Sequence, residues 1–289
     1  MIEGAPLMIV VTGATGALGR LVLAGLARAG VPAADTVALV RDAAKGADLG
    51  VPLRVGSYDD PASLRGAFDG ADKVLFVSGS EVGKRVDQHR AVVDAAKAAG
   101  VPHLAYTSVL HADSSPLALA AEHKATEELI RAAGIPFTFL RNSWYTEMYA
   151  GTFQQAVANG AFIGSAGEGR LASAARADYA EAAVAVLTGT GHENKIYELA
   201  GDVAWSYPNL AAALSQVSGK DIQYRNLSSA EHLAALTDAG LPPHLVDLLV
   251  EVDGQLAGGA LVDGSGDLSR LIGHPTTTLA TSIAAVLGG

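Results

Sequence analysis

The chain has 289 residues, is 49% hydrophobic and 17% charged, and carries a net charge of −10. It is long enough for one large α/β domain or a nucleotide domain with a smaller lobe, and too apolar to be disordered. The acidic balance argues against nucleic acid or an anionic membrane as main partner, and the absence of cysteine excludes disulfides, thiolate catalysis and cysteine-ligated metal.

Residues 1–6 read as a short tail with no secretory signal. No run reaches the roughly twenty apolar residues of a membrane span, so a cytoplasmic protein without membrane insertion is expected. Residues 7–11 form a short β-branched run, a buried strand, and 18–29 have helical spacing. Strands follow at 36–40 and 51–55, a short helix at 61–68, a strand at 73–77, a helix at 86–99, a strand at 103–107, a helix at 119–133 and a strand at 137–140. Such alternation predicts a parallel sheet with helices on both faces. Three segments (29–32, 99–102 and 133–136) read Ala-Gly-Val/Ile-Pro. Glycine there ends a helix and proline keeps the chain extended into the next strand. Beyond residue 150 the alternation loosens, with helices near 177–188, 208–217, 229–238 and 243–257 and short strands at 196–199 and 222–225. The expected organisation is a nucleotide-binding domain over 1–150 and a smaller substrate-binding lobe over 151–289 sharing its core.

Gly13, Ala14, Thr15, Gly16, Ala17, Leu18 and Gly19 directly follow the first strand and open the first helix. In a G-x-x-G-x-x-G turn the first glycine permits the tight bend. The second lets backbone approach a diphosphate, and the third lets helix and strand pack closely. A diphosphate then sits on the free amides of the helix start. The fold class is thus a doubly wound Rossmann sheet binding a dinucleotide. An NAD site ends its second strand in a carboxylate for the ribose 2′-hydroxyl; here Arg41 stands there, and its guanidinium can clasp a 2′-phosphate. NADP(H) is therefore the expected cofactor, with a surface ion pair to Asp42 as the competing role for Arg41.

In an open parallel sheet the ligand lies beyond the C-terminal strand ends. Three loops there draw notice. Val77, Ser78, Gly79 and Ser80 allow close approach to ribose and nicotinamide. Tyr106, Thr107 and Ser108 offer hydroxyls to cofactor or substrate. After residues 137–140, Asn142 can bond a carboxamide, and Trp144 or Tyr145 can stack on an aromatic acceptor.

The runs VTGATGALGRLV, ALVRD and SGSEVGKRVDQHRAVVDAAKAAGVPHLAYTSVLHADSSPL resemble the NmrA-like branch of the atypical short-chain dehydrogenases. With TFLRNSWYTEMY, GAFIGSAGEGRLASAARADYAEAAVAVLTG, YELAG and LSRLIGHPTTTLA, the chain is similar to the type 2 NAD(P)H:quinone oxidoreductases and, more distantly, the triphenylmethane reductases. The similarity covers nearly the whole chain, and SGSEVG and HADSSPL are more specific than the glycine turn. It implies a cofactor site of Gly13 to Leu18, Arg41, Val77, Ser78, Gly79, Asn142, Ser143, Trp144, Tyr145, Thr146, Glu147 and Ser173. It also implies a quinone or similar flat acceptor against the nicotinamide, touching Asn142, Trp144 and Tyr145.

Typical short-chain dehydrogenases carry Tyr-x-x-x-Lys on the helix after the fifth strand, the tyrosine serving as general acid. Here either His123 or Lys124 takes the lysine place, which puts Leu119 or Ala120 in the tyrosine place; neither is an acid. Quinone reduction tolerates that loss better than ketone reduction. The enzyme is expected to position NADPH against its acceptor, the proton coming from water or a less exacting donor, with His123 and Tyr145 the candidate side chains. A reductase of a triarylmethane dye or another conjugated acceptor, and an NADP(H)-sensing regulator without catalysis, are the alternatives. The histidines lack zinc-site spacing, so no metal is expected. Tyr58 either meets the adenine or packs; Asp59 and Asp60 make a turn; Arg176 and Asp178 pair at a helix start; Trp205 anchors the small lobe. The sequence leaves oligomeric state open, a homo-oligomer among the options.

Overall fold

The structure is a computed structural model and describes residues 7–288. The first half alternates as the sequence predicts: β1 (Ile9–Val11), α1 (Ala17–Arg28), β2 (Thr36–Val40), β3 (Leu53–Val55), β4 (Lys73–Phe76), α2 (Arg85–Ala98), β5 (His103–Val109), α3 (Ala118–Ala133) and β6 (Phe137–Asn142). After β6 come α4 (Ala150–Asn159), β7 (Ala161–Gly164), β8 (Arg170–Leu171), α5 (Arg176–Thr188), β9 (Lys195–Leu199), β10 (Trp205–Ser206) and α6 (Tyr207–Ser218). The chain ends with β11 (Gln223–Asn226), α7 (Ser229–Asp238), α8 (Pro243–Ala257), α9 (Asp267–Ile272) and α10 (Leu279–Gly288).

Seven parallel strands form the main sheet in the order β3-β2-β1-β4-β5-β6-β9, the doubly wound Rossmann order with one strand added. Both faces are covered, so β1, β2, β4 and β5 are buried along their whole length rather than alternating buried with exposed positions. Ile9, Val11, Leu75 and Leu140 pack on one side with α1 and α5. Val10, Val74, Phe76, Leu104 and Phe139 pack on the other, where Val92, Val93 and Ile130 of α2 and α3 meet them. A third core holds the remaining elements together around Phe153, Trp205, Tyr207, Leu210 and Leu256.

Two expectations need correction. Residues 61–68 are not a helix. Asp60 O accepts from Ser63 N, Leu64 O from Ala67 N and Phe68 O from Ala71 N, a chain of separate turns. Gly66 (φ +73°) and Gly70 (φ +70°) interrupt helical propagation, while Leu64 and Phe68 still bury into the core. Nor do the lobes divide at residue 150. β9 pairs with β6, Asn142 opposite Leu199. Tyr179, Ala182, Ala183 and Val186 of α5 and Leu268 of α9 belong to the same core as α1. Chain order misled here because the polypeptide leaves the sheet, builds part of the small lobe and returns. Among the described residues, no helix is long and apolar enough to cross a membrane.

Candidate active site

Register aligns the C-terminal strand ends. Val11 lies opposite both Ala38 and Leu75, Phe76 opposite Tyr106, and Val109 opposite Asn142. The loops leaving β1, β2, β4 and β6 therefore emerge side by side.

The glycine turn has the form its spacing predicts. Gly13 takes φ +59°, and Gly13 O accepts from Gly16 N at 2.9 Å. A Cβ on Gly19 would lie 2.4 Å from Gly13 O and 2.7 Å from Ala14 Cα, so only glycine lets the helix pass that close. Gly16 caps α1 without a side chain, and no acidic residue stands in the first turn. The helix start thus presents free amides and the positive end of its dipole to an anion.

A cleft of about 250 Å³ brings Gly13, Thr15 and Gly16 together with Arg41, Tyr58, Val77, Ser78 and Gly79. Arg41 is exposed there. Asp42, its suggested partner, instead accepts from Ala44 N at 2.9 Å, capping a short turn. Tyr58 lines the cleft, with its hydroxyl 2.5 Å from Thr12 Oγ1 and 3.0 Å from Val77 O.

The 77–83 loop is pinned from below by Thr107 and by groups of α2 and α3 that were not singled out from the sequence. Ser78 N donates to Thr107 Oγ1 at 2.9 Å. Gly79 N donates to His89 Nε2 at 2.9 Å, and Arg85 Nε donates to Gly79 O at 2.8 Å. Glu122 receives Gly83 N at 2.7 Å and Arg85 Nη1 at 2.5 Å. His89 Nδ1 meets Thr126 Oγ1 at 2.8 Å, whose own hydroxyl donates to Glu122 O. The Nδ1–H tautomer follows, leaving Nε2 as acceptor. Burial, seconded by the neighbouring His123 and Arg85, depresses the His89 pKa to about 3, so the ring stays neutral and keeps accepting. Arg85, Gln88 and His89 share one buried face of α2; their i, i+3, i+4 spacing was the available signal.

The 106–108 hydroxyls are committed inside the protein, which corrects their assignment to ligand. Tyr106 is fully buried, and its hydroxyl meets His123 Nδ1 at 2.8 Å. Thr107 holds Ser78 N, and Ser108 donates to Glu127 Oε1 at 2.7 Å. His123 is itself buried, its pKa lowered to about 3 by desolvation and then by Arg85. It is a core group facing Tyr106 and not an open proton source. Lys124 is exposed.

The segment after β6 runs beside the loop before α5. Tyr145 bridges to Ala174, and Ser143 N donates to Leu199 O at 2.8 Å. Asn142 Oδ1 and Ser143 Oγ are buried without a hydrogen-bond partner, a costly arrangement that a polar ligand would relieve. Tyr145 packs, with Val77, against the core that carries the glycine turn. Thr146 and Ser173 hydroxyls bond each other at 2.8 Å, and Trp205 Nε1 donates to Ser173 at 2.9 Å. These three border a separate cavity of about 570 Å³ next to Val203 and Leu279. Glu147 accepts Arg176 N at 2.9 Å. Arg176 and Asp178 are not a capping pair: Arg176 lies 4.9 Å over the Tyr145 ring, and Asp178 accepts from Thr277 N and Oγ1, both at 2.8 Å.

A dinucleotide fits this donor set: amides for a diphosphate, a guanidinium for a further phosphate, and unpartnered amide and hydroxyl oxygens at the far end. A sheet of this order with such a turn defines a dinucleotide-binding Rossmann protein. The model of the NmrA-like family matches residues 7–253, and the chain belongs to that family. Over 280 residues it is 52% identical to quinone oxidoreductase 2 of Escherichia coli (strain K12), covering 96% of this chain and 98% of that protein. The crystal structure of the E. coli NADPH-dependent quinone oxidoreductase complexed with NADPH superposes with a TM-score of 0.94 at 51% identity, over 97% of this chain and 100% of the other. The Citrobacter sp. triphenylmethane reductase complexed with NADP(H) gives a TM-score of 0.92 at 40% identity, over 96% and 99%.

Proposed function

We propose that the chain is an NADPH-dependent reductase that passes hydride to a quinone or similar small aromatic acceptor without a flavin. The observation that carries the reading is the cleft in which the glycine turn, Arg41 and the 77–79 backbone converge, in a chain so similar over its whole length to an NADPH-dependent quinone oxidoreductase. The amides of α1 would hold the diphosphate and Arg41 the 2′-phosphate. Asn142 Oδ1 and Ser143 Oγ would take polar groups of the nicotinamide end, and Trp144 and Tyr145 would flank the acceptor. When bound, the reduced nicotinamide supplies the hydride; the protein's part is to hold it against the acceptor and keep water out. Glu147 acts through the Arg176 amide it holds, Thr146 and Ser173 through the hydrogen bonds that tie them to each other and to Trp205, and the lobe built on Trp205 and Tyr207 closes the acceptor side.

The test follows NADPH absorbance with benzoquinone, menadione, a triarylmethane dye and a simple ketone, without added flavin. Oxidation with the quinones and not the ketone is expected. Tight NADPH binding with no turnover on any acceptor would refute the reading and leave a redox sensor in its place.

A further inference from the structure

We propose that the Tyr145 phenol is the proton donor of this reaction, held in place by Asn142 and Arg176. The inference rests on the quinone-reductase reading and supplies the acid that the α3 helix lacks.

The geometry fixes the ring on several sides. Its backbone bridges to Ala174. The Tyr179 ring stands edge-on at 5.2 Å and 70°, and the Arg176 guanidinium lies 4.9 Å above the centroid. Asn142 Nδ2 donates to the phenol oxygen at 3.2 Å. The oxygen is therefore an acceptor toward the protein, and among the described residues no group takes its proton. Asn142, which orients it, ends β6 with its Oδ1 unpartnered, so the same amide faces both the phenol and the place of a polar ligand group.

Burial raises the phenol's pKa and the nearby Glu147 carboxylate adds to that rise, while Asn142 and Arg176 pull the other way. The group stays protonated at neutral pH, yet the anion left after donation meets an N–H and a cation. That combination suits a general acid.

The step balances simply. The reduced nicotinamide gives the quinone two electrons and one hydrogen as hydride and becomes oxidised. Negative charge gathers on a quinone oxygen. The Tyr145 O–H bond breaks, an O–H bond forms on that oxygen, and the phenolate recovers its proton from water. The products are hydroquinone and oxidised dinucleotide.

The experiment compares the parent with Tyr145→Phe, reading quinone turnover from about pH 5.5 to 8.5 and NADPH affinity by fluorescence titration. A loss of roughly 100-fold in kcat near neutral pH is expected, within the range of removed general acids. The NADPH Kd should stay within a few-fold, and the deficit should narrow as pH falls, because hydronium then substitutes. A deficit constant across pH, no deficit, or a Kd that worsens in step with kcat would overturn the proposal.

A second readout needs no cofactor. In protein labelled at the tyrosine ζ-carbon, the Tyr145 signal is identified by its loss in Tyr145→Phe. Its titration should move to higher pH in Asn142→Ala and in Arg176→Met; an unmoved titration in both would remove the positioning role. Should the parent oxidise no NADPH with any quinone, the functional reading fails instead, while the phenol titration still reports on the clamp.

Discussion

Replacing His89 with leucine isolates the pin beneath the 77–83 loop. The variant keeps the bulk but removes the acceptor of Gly79 N–H, now bonded to Nε2 at 2.9 Å. Thr126 loses little, since its hydroxyl still donates to Glu122 O. An orphaned buried amide costs about 1–3 kcal/mol. The ring's edge contacts with Phe76 at 4.7 Å and Tyr106 at 5.7 Å add roughly 0.5–1.5 kcal/mol when lost. A destabilisation of about 2–4 kcal/mol is expected near neutral pH. The pH dependence is the sharper reading. With a folded-state pKa of about 3 against 6.5 for the free side chain, the unfolded chain takes the proton first. The parent's stability from this group is complete above that free value. It declines by about 1.4 kcal/mol per pH unit as pH falls below it, until the native ring also titrates. Between about pH 7.5 and 5.5 that amounts to roughly 1.4 kcal/mol from His89 alone, and His89→Leu should lack it. Guanidinium chloride titrations of both proteins at the two pH values measure the difference. If the variant loses as much stability on acidification as the parent, His89 is not the neutral acceptor inferred here.

Arg41→Ala should weaken NADPH binding by about 10- to 100-fold, the worth of one or two charge-assisted hydrogen bonds, and leave the NADH Kd nearly unchanged; equal losses for both nucleotides would argue against a 2′-phosphate contact. Gly19→Ala places a methyl 2.4 Å from Gly13 O, and calorimetry should find dinucleotide binding abolished with stability lowered by about 1–3 kcal/mol. Glu127→Ala removes the carboxylate that holds buried Arg141 through Nε at 2.9 Å and Nη2 at 2.7 Å, leaving it only Glu198 and Asp113 on Nη1. Thermal or chemical unfolding should show a loss of about 3–5 kcal/mol, with a clearly smaller loss in Arg141→Met/Glu127→Leu.

The sheet was legible because its signals are local. Gly30, Gly100 and Gly134, each followed by a β-branched residue and proline, take φ of +82°, +67° and +74° where helices give way to strands. The glycine turn could be read to the role of each glycine, since a missing Cβ has few explanations in a strand-to-helix turn. The site was legible at its backbone and less so at its side chains. Tyr106, Thr107 and Ser108 were grouped as ligand hydroxyls although successive strand residues face opposite ways, and the structure sends them to His123, Ser78 N and Glu127. His89, Arg85 and Glu122 escaped notice because their partners are loop amides distant in sequence or on another helix. α4, α9 and α10 escaped because their apolar faces are short and meet elements from elsewhere in the chain.

β9 has a consequence for dissecting the protein. The strand that closes one end of the seven-membered ladder is supplied only at Lys195–Leu199, and the helix sheltering α1 comes just before it. A fragment stopped near residue 150 would bare the hydrogen-bonding edge of β6 and a greasy flank of α1 together, a surface that invites aggregation. Expression of the nucleotide-binding half by itself should therefore yield insoluble material.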